Sequence, residues 1–340
     1  MATQHRQDCS GMHRRWLVVA GLALLACVAM GGGGHREPRP FVLDKKEVVK
    51  MKRVARFYGL EFQRDRIHLA DENHQFSFSA DSRRVLYNGM LFWLYEPLKR
   101  KRGGWILAEV DRISLMDPLL RPVPYLSKLP AGPVFLDAGH GGDDSGARGP
   151  GGTLEKDLAL EMCKNVQSRL REAGIDVRLT RPDDRFIDLK QRCRIAKEGN
   201  SSLFLSIHFN SASNSKAEGV ETYMLPRGGQ PSTAGNPGNA ALGNKFDGAN
   251  VILAQAIHHY TVRSIRAPDR GVKKSRFAVL KYAPCPAALL ECGFLSNKAE
   301  EKRIKTSAHR EAIAGGIAQG IQEYLAACRR AKPELIASIR

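Results

Sequence analysis

Four residues in this chain have the types and placing that hydrolytic metal chemistry requires: His140, Glu155, His208 and Glu291. His140 follows the apolar run 134–138 and Gly139, and Glu155 comes fifteen positions later. His208 and Glu291 each close a further apolar run, 203–207 and 287–290. A hydrolytic zinc centre takes three protein ligands and keeps a fourth position for water. Two imidazoles and one carboxylate, from His140, Glu155 and His208, would leave such a centre positively charged. That charge acidifies a water and polarises a carbonyl. Glu291, not needed as a ligand, can take the water's proton and return it to the leaving nitrogen, which departs poorly without it. A single histidine or glutamate at a strand end is more often a hydrogen-bonded structural residue, so the weight rests on the four together. Ser206 and Cys292 lie close by in sequence, but neither sits in the Gly-flanked elbow that presents a nucleophile.

From residue 133 onward, strand and helix patterns alternate. Strands are expected at 134–136, 177–179, 203–207, 220–225, 277–280 and 287–290, and helices at 154–173, 189–196, 251–265 and about 298–326. Leu158, Met162, Val166 and Leu170 share one face of the first helix, and Gly174 stands where a left-handed cap would end it. This order predicts an α/β fold: a largely parallel sheet with helices on both faces. In such sheets ligands bind beyond the carboxyl ends of the strands, where His140, His208 and Glu291 fall. Glycines at 141, 142, 146, 149, 151 and 152 allow the loop before Glu155 to fold back tightly. The Gly/Asn/Pro-rich segment 226–250 has no helical periodicity and reads as a loop, either substrate-side or a surface insertion.

The first 132 residues have another character. Arg14 and Arg15 precede the apolar run Trp16–Met30 and four glycines, so residues 1–34 read as an export signal or membrane anchor. Leu24-Leu25-Ala26-Cys27 also resembles a lipoprotein cleavage box, which would put a lipid on Cys27. Export to the periplasm or cell envelope is expected in either case. Residues 35–43 read as a linker, and 44–121 as a small α+β domain that begins with a helical pattern over 44–60 and continues in short strands around an Asn88-Gly89 turn. The Pro-rich stretch 122–132 reads as a stiff linker, 133–326 as the catalytic domain and 327–340 as a basic tail. The net charge is +18, and residues 1–130 supply half of the excess, with 22 Lys/Arg against 13 Asp/Glu. Such a balance favours anionic partners, but scattered basic residues without a reading motif argue against nucleic acid. The seven cysteines show no CxxC pair and read chiefly as small buried apolar residues.

Several motifs carry a resemblance. Leu136-Asp137-Ala138-Gly139-His140-Gly141-Gly142, then Gly146-Ala147 and Glu155-Lys156-Asp157, resemble the opening of the zinc-dependent N-acetylmuramoyl-L-alanine amidases of type 3. The likeness continues through Leu179-Thr180-Arg181, Arg192 with Ala196, Ser206-Ile207-His208-Phe209-Asn210 and Gly219-Val220-Glu221-Thr222-Tyr223. It closes with Arg270-Gly271-Val272, Phe277-Ala278-Val279-Leu280 and Leu290-Glu291-Cys292-Gly293-Phe294-Leu295-Ser296-Asn297. The resemblance implies zinc ligands at His140, Glu155 and His208 and a catalytic glutamate at Glu291. It implies a peptidoglycan hydrolase that cuts between N-acetylmuramic acid and L-alanine of the stem peptide. The rival readings are a zinc peptidase acting within the stem and a non-catalytic wall-binding protein. Two departures stand out: Phe209 occupies a position where a small residue is commoner, with an altered cleft wall as the expected effect. Segment 226–250 lies where some relatives carry a helical insert that blocks the site, yet it is glycine-rich and not amphipathic, which puts self-inhibition in question. Residues 44–121 also resemble, more diffusely, the small domain named after the copper amine oxidase N-terminus, without copper ligands; a spacer or wall-contacting module is the inference. Whether a protein activator takes part is left open.

Overall fold

Val48 and Val49 are β-branched and lie next to an alternating stretch, so they pair as a strand before the first helix can start. The computed structural model describes residues 48–129 and 131–332. The export segment with Cys27, the 35–43 linker and residues 333–340 of the basic tail lie outside them. Strand β1 (Val48–Lys50) precedes helix α1 (Met51–Tyr58), so the helix expected over 44–60 is shorter than its pattern. Gly59, at φ +72°, closes α1 in the left-handed conformation. A meander follows: β2 (Glu61–Gln63), β3 (His68–Ala70), β4 (Gln75–Phe78), β5 (Arg84–Tyr87) and β6 (Met90–Trp93). Asn88 and Gly89 both have positive φ and form the two-residue turn between β5 and β6 that their types predict. The hairpin β7 (Lys99–Lys101) and β8 (Gly104–Ala108) pairs with β1 in a separate three-stranded sheet, and a helical segment runs from 109 to 120.

The stretch from 122 was expected as a stiff linker. Instead it forms a helical turn, Val123–Leu126, and Leu126 is fully buried. Beyond it come β9 (Val134–Ala138), α2 (Glu155–Glu172), β10 (Val177–Leu179), α3 (Leu189–Glu198), β11 (Leu203–Asn210) and β12 (Val220–Met224). The chain ends through α4 (Asp247–Ile265), β13 (Asp269–Lys274), α5 (Ala278–Lys281), β14 (Ala287–Phe294), α6 (Lys298–Ile304) and α7 (Ser307–Arg330). The main sheet has eleven strands in the order β10-β9-β11-β14-β12-β13-β6-β5-β4-β3-β2. β10, β9, β11 and β14 are parallel, whereas β12 runs against β14. The reason is local: residues 211–219 hold no helix to carry the chain back across the sheet, so β12 must return from the edge where β11 ended.

The sheet is covered on both faces, and strand alternation sorts the core in two. Leu136, Leu205 and Leu290 pack with α2, α4 and α7 on one face, while Phe135, Phe204 and Leu289 pack with α3 and α5 on the other. Two expectations are corrected here. Residues 277–280 form one turn of helix, not a strand, because four apolar residues between polar ones carry no period that separates the two. The strand instead lies just before, at β13. The last helix is also two: Thr306 caps α7 by accepting from the His309 amide.

The small meander and the α/β part share one sheet through the single pair Val272↔Phe92. The Leu91 amide donates to Asp269 Oδ2 (2.8 Å) and Trp93 Nε1 to the Arg270 carbonyl (3.1 Å). Lys274, almost fully buried, donates to the Trp93 carbonyl. Phe92 is itself 1% exposed. Phe92→Ala should therefore lower the unfolding free energy by about 3–5 kcal/mol, read in a denaturant melt with a single transition. A melt in which only a minor early phase moves would contradict this coupling.

Candidate active site

The strand rows place the site. Phe204, Ser206 and His208 alternate onto the α3/α5 face of β11, and Leu289 and Glu291 do the same on β14. The parallel register pairs His208 directly with Glu291. Asp137 continues the Phe135 row on β9, so the small-core face turns polar towards its carboxyl edge. His140 stands just past β9 at φ +60°, followed by Gly141 and Gly142 at +128° and +59°. Two fully buried arginines hold this turn. Arg181 donates to the carbonyls of Ala138 (3.0 Å) and Gly139 (2.7 Å), and Arg192 to those of Ala138 (2.5 Å) and His140 (2.7 Å). Backbone strain of this kind persists only where the surroundings over-determine it.

Glu155 is the first residue of α2, and its side chain turns back under the glycine loop. Its Oε2 accepts from the Ala147 amide (2.8 Å) and its Oε1 from the Phe209 amide (3.1 Å). His140 Nε2 and His208 Nδ1 both face that Oε1, at 3.1 and 2.8 Å. The opposite nitrogens are occupied: His140 Nδ1 donates to Asp144 Oδ2 (2.8 Å), and His208 Nε2 to Ser206 Oγ (3.1 Å). Ser206 in turn donates to Asp137 Oδ2 (2.7 Å), whose other oxygen accepts from Thr180 and Arg192. One donor atom each from His140, Glu155 and His208 lies within 4.8 Å of the others. A tetrahedral ion with ligands at about 2.0–2.1 Å holds them about 3.3 Å apart, close to the spacings seen. Each imidazole thus turns its free nitrogen inward and is fixed from behind, the outer arrangement that metal-binding histidines need. The residues fit a divalent ion of the zinc type.

Close packing enforces the geometry. A Cβ on Gly139 would lie 2.3 Å from His208 Cε1, and one on Gly146 would lie 2.6 Å from both Glu155 Oε2 and His140 Cδ2. Glu301 accepts from the Gly151 amide (2.8 Å) and pins the loop that leads to Glu155.

Electrostatics separate the two glutamates. Burial opposes ionisation of Glu155, yet the hydrogen bonds and charges of His208 and His140 hold its carboxyl far below the usual range. Glu291 is pushed well above it, by burial first and then by the charges of Glu155 and Glu221. Its Oε2 has no hydrogen-bond partner among the described residues. Glu291 therefore sits beside the cluster as a carboxyl able to hold a proton. Glu221, opposite it on β12, is held ionised by Lys273, Tyr223 and Arg270 against the effect of burial.

All four residues line one cleft of about 690 Å³. Exposed Phe186, Leu189 and Phe277 give it an apolar wall. Phe209 also lines the cleft, with its ring buried in the larger core and its amide donating to Glu155. No lining residue comes from 226–250. Arg276 gathers that segment onto itself by donating to the carbonyls of Arg227, Gln230, Gly238 and Asn239. Cys292 is buried with its thiol pushed far up by desolvation, and Ser206 is spent on Asp137, so neither is a nucleophile. Asp144, Asp137 and Glu301 were not singled out from the sequence. An acid inside an otherwise apolar strand was the available signal for Asp137.

Comparison with known proteins agrees with this architecture. Residues 134–323 match the N-acetylmuramoyl-L-alanine amidase family. The chain is 35% identical over 192 residues to the uncharacterized protein YqiI of Bacillus subtilis, covering 56% of this chain and 84% of that one. It is 34% identical over 217 residues to the N-acetylmuramoyl-L-alanine amidase AmiA of Escherichia coli, covering 56% and 75%. The catalytic domain of CwlV, an N-acetylmuramoyl-L-alanine amidase from Bacillus (Paenibacillus) polymyxa, superposes with a TM-score of 0.50 at 35% identity, covering 58% of this chain and 99% of that one. The fold is α/β, and its His-Glu-His cluster could hold a metal ion. The chain belongs to the N-acetylmuramoyl-L-alanine amidase family.

The pH response of the metal-stripped protein follows from the same contacts. Burial lowers the pKa of His140, but Glu155 and Asp144 outweigh it and raise it overall. A raised histidine pKa stabilises the fold fully below the unfolded value of about 6.5, and that stability is lost as pH rises through the folded value. The melting temperature of chelator-treated protein should fall as pH increases above about 6.5, and His140→Asn should flatten that slope. A slope unchanged in the variant would place its origin elsewhere.

Proposed function

We propose that this chain hydrolyses the amide between the lactyl group of N-acetylmuramic acid and L-alanine of the peptidoglycan stem, with Zn²⁺ held by His140, Glu155 and His208. The observation that carries the reading is the convergence of two back-braced imidazoles on one buried carboxylate, with Glu291 unpartnered beside them. When bound, the ion would act as a Lewis acid, making a water nucleophilic near neutral pH and polarising the scissile carbonyl. Glu291 accepts the water's proton and returns it to the departing alanine nitrogen. Burial and the neighbouring carboxylates raise its pKa, which makes it a stronger acceptor for that proton than an exposed glutamate. Arg181 and Arg192 keep His140 in its left-handed turn, and Asp144 and the Asp137–Ser206 pair keep the two rings aimed. The apolar wall seats the substrate and excludes bulk water. The amidase name of the relatives supports the choice of bond over one within the stem.

A substrate in the cell wall agrees with the export reading of residues 1–34, and a signal, an anchor and a lipid on Cys27 all remain compatible with it. No described helix is long and apolar enough to cross a membrane.

Glu291→Gln should retain stoichiometric zinc by elemental analysis yet lose about 10²–10⁴ of the hydrolytic rate on purified sacculi. Wild-type turnover would remove Glu291 from the proton path. His208→Ala should lose metal and activity together, and a fully zinc-loaded variant would contradict the ligand assignment. The product masses should be those of intact free stem peptides; shortened stems still attached to sugar would point to a peptidase.

A further inference from the structure

A second cleft, of about 790 Å³, opens in the N-terminal part of the molecule. Its walls come from β1 and α1, the β2–β3 turn and the β7–β8 hairpin. Lys50, Lys52, Arg64, Arg100, Lys101 and Arg102 line it, against one carboxylate, Asp65. Asp65 lies 4.0 Å from Arg66, and none of the six cations has an ion-pair partner among the described residues. Like charges gathered around one concavity repel each other and focus a field that an anion would relieve.

The cleft is shaped as well as charged. The hairpin turns tightly between Lys101 and Gly104 because Gly103 and Gly104 take φ of +95° and +126°. A Cβ on Gly103 would meet Lys50 Nζ at 3.4 Å, so this ammonium lies beside the turn. Half-buried Phe62 and Trp105 form the apolar part, and the Arg100 guanidinium sits 5.9 Å from the Trp105 ring centre.

We propose that this cleft docks on the anionic headgroups of a phospholipid membrane. Strand β7 is exposed along its whole length, so the cations reach a flat surface without rearrangement. Cations flanking half-buried aromatic rings are the composition of a membrane–water interface. Residues 31–47 separate the apolar run 16–30 from β1. Seventeen residues span at most about 60 Å, which sets the reach of the cleft from any membrane that run enters. This assignment is independent of the hydrolytic reading, since the two clefts share no residue.

Hydrogen exchange of the full chain tests it, with vesicles of phosphatidylcholine alone or mixed with phosphatidylglycerol. Exchange in 48–52 and 99–105 should slow about threefold or more with the anionic vesicles only, and the effect should vanish in Arg100→Glu/Arg102→Glu and in Lys101→Ser/Arg102→Ser. Both variants should leave exchange in β11 and β14 unchanged. Equal behaviour with the two vesicle types, or no slowing, would overturn the proposal. So would equal slowing by inorganic phosphate or by soluble peptidoglycan fragments without lipid, which would give the cleft to a free phosphate or to the wall polymer.

Discussion

A buried carboxylate facing two imidazole nitrogens is the constraint around which this molecule is organised. Glu155 is almost fully buried, so its charge must be balanced from within the protein. Among the described residues, only the inward nitrogens of His140 and His208 and two backbone amides are placed to do so. A divalent cation resolves that demand better than two shared protons, because each imidazole already uses its opposite nitrogen as a donor. The remaining features follow from it: glycines where the rings need room, and buried arginines that fix the turn behind His140.

The contrast between Glu155 and Glu291 shows how one fold gives two like residues opposite tendencies to ionise. Glu155 is surrounded by donors and stays ionised, whereas Glu291 faces two other carboxylates in a desolvated place and tends to keep a proton. Glu221 forms part of this division. Its charge is sustained by Lys273, Arg270 and Tyr223, and it bears on Glu291 from the neighbouring strand. The placing of Glu291 beside the His-Glu-His cluster therefore arises from strand register and burial.

Much of this was legible in the sequence, for a definite reason. Apolar runs that end in His140, His208 and Glu291 mark strand exits, and in a parallel sheet those exits share one edge. The helix beginning at Glu155 was equally plain from its apolar period and its Gly174 cap. What stayed hidden depends on which distant groups meet. Asp144 lies only four positions from its partner, but nothing in its sequence context says that its carboxylate faces Nδ1 of His140. The reversal of β12 and the position of β13 were obscured because short apolar runs near 220 and 277 carry no directional signal. The packing of residues 122–129 against the body was masked by their prolines, which suggested a stiff linker while Leu126 supplied the buried anchor.

Zinc K-edge X-ray absorption of the purified full chain is the most direct test of the central claim. One zinc per chain is expected, in a shell of nitrogen and oxygen donors at about 2.0–2.2 Å, with the multiple-scattering signature of two imidazoles. A sulfur shell near 2.3 Å, a single imidazole, or a protein that cannot take up the ion would contradict it.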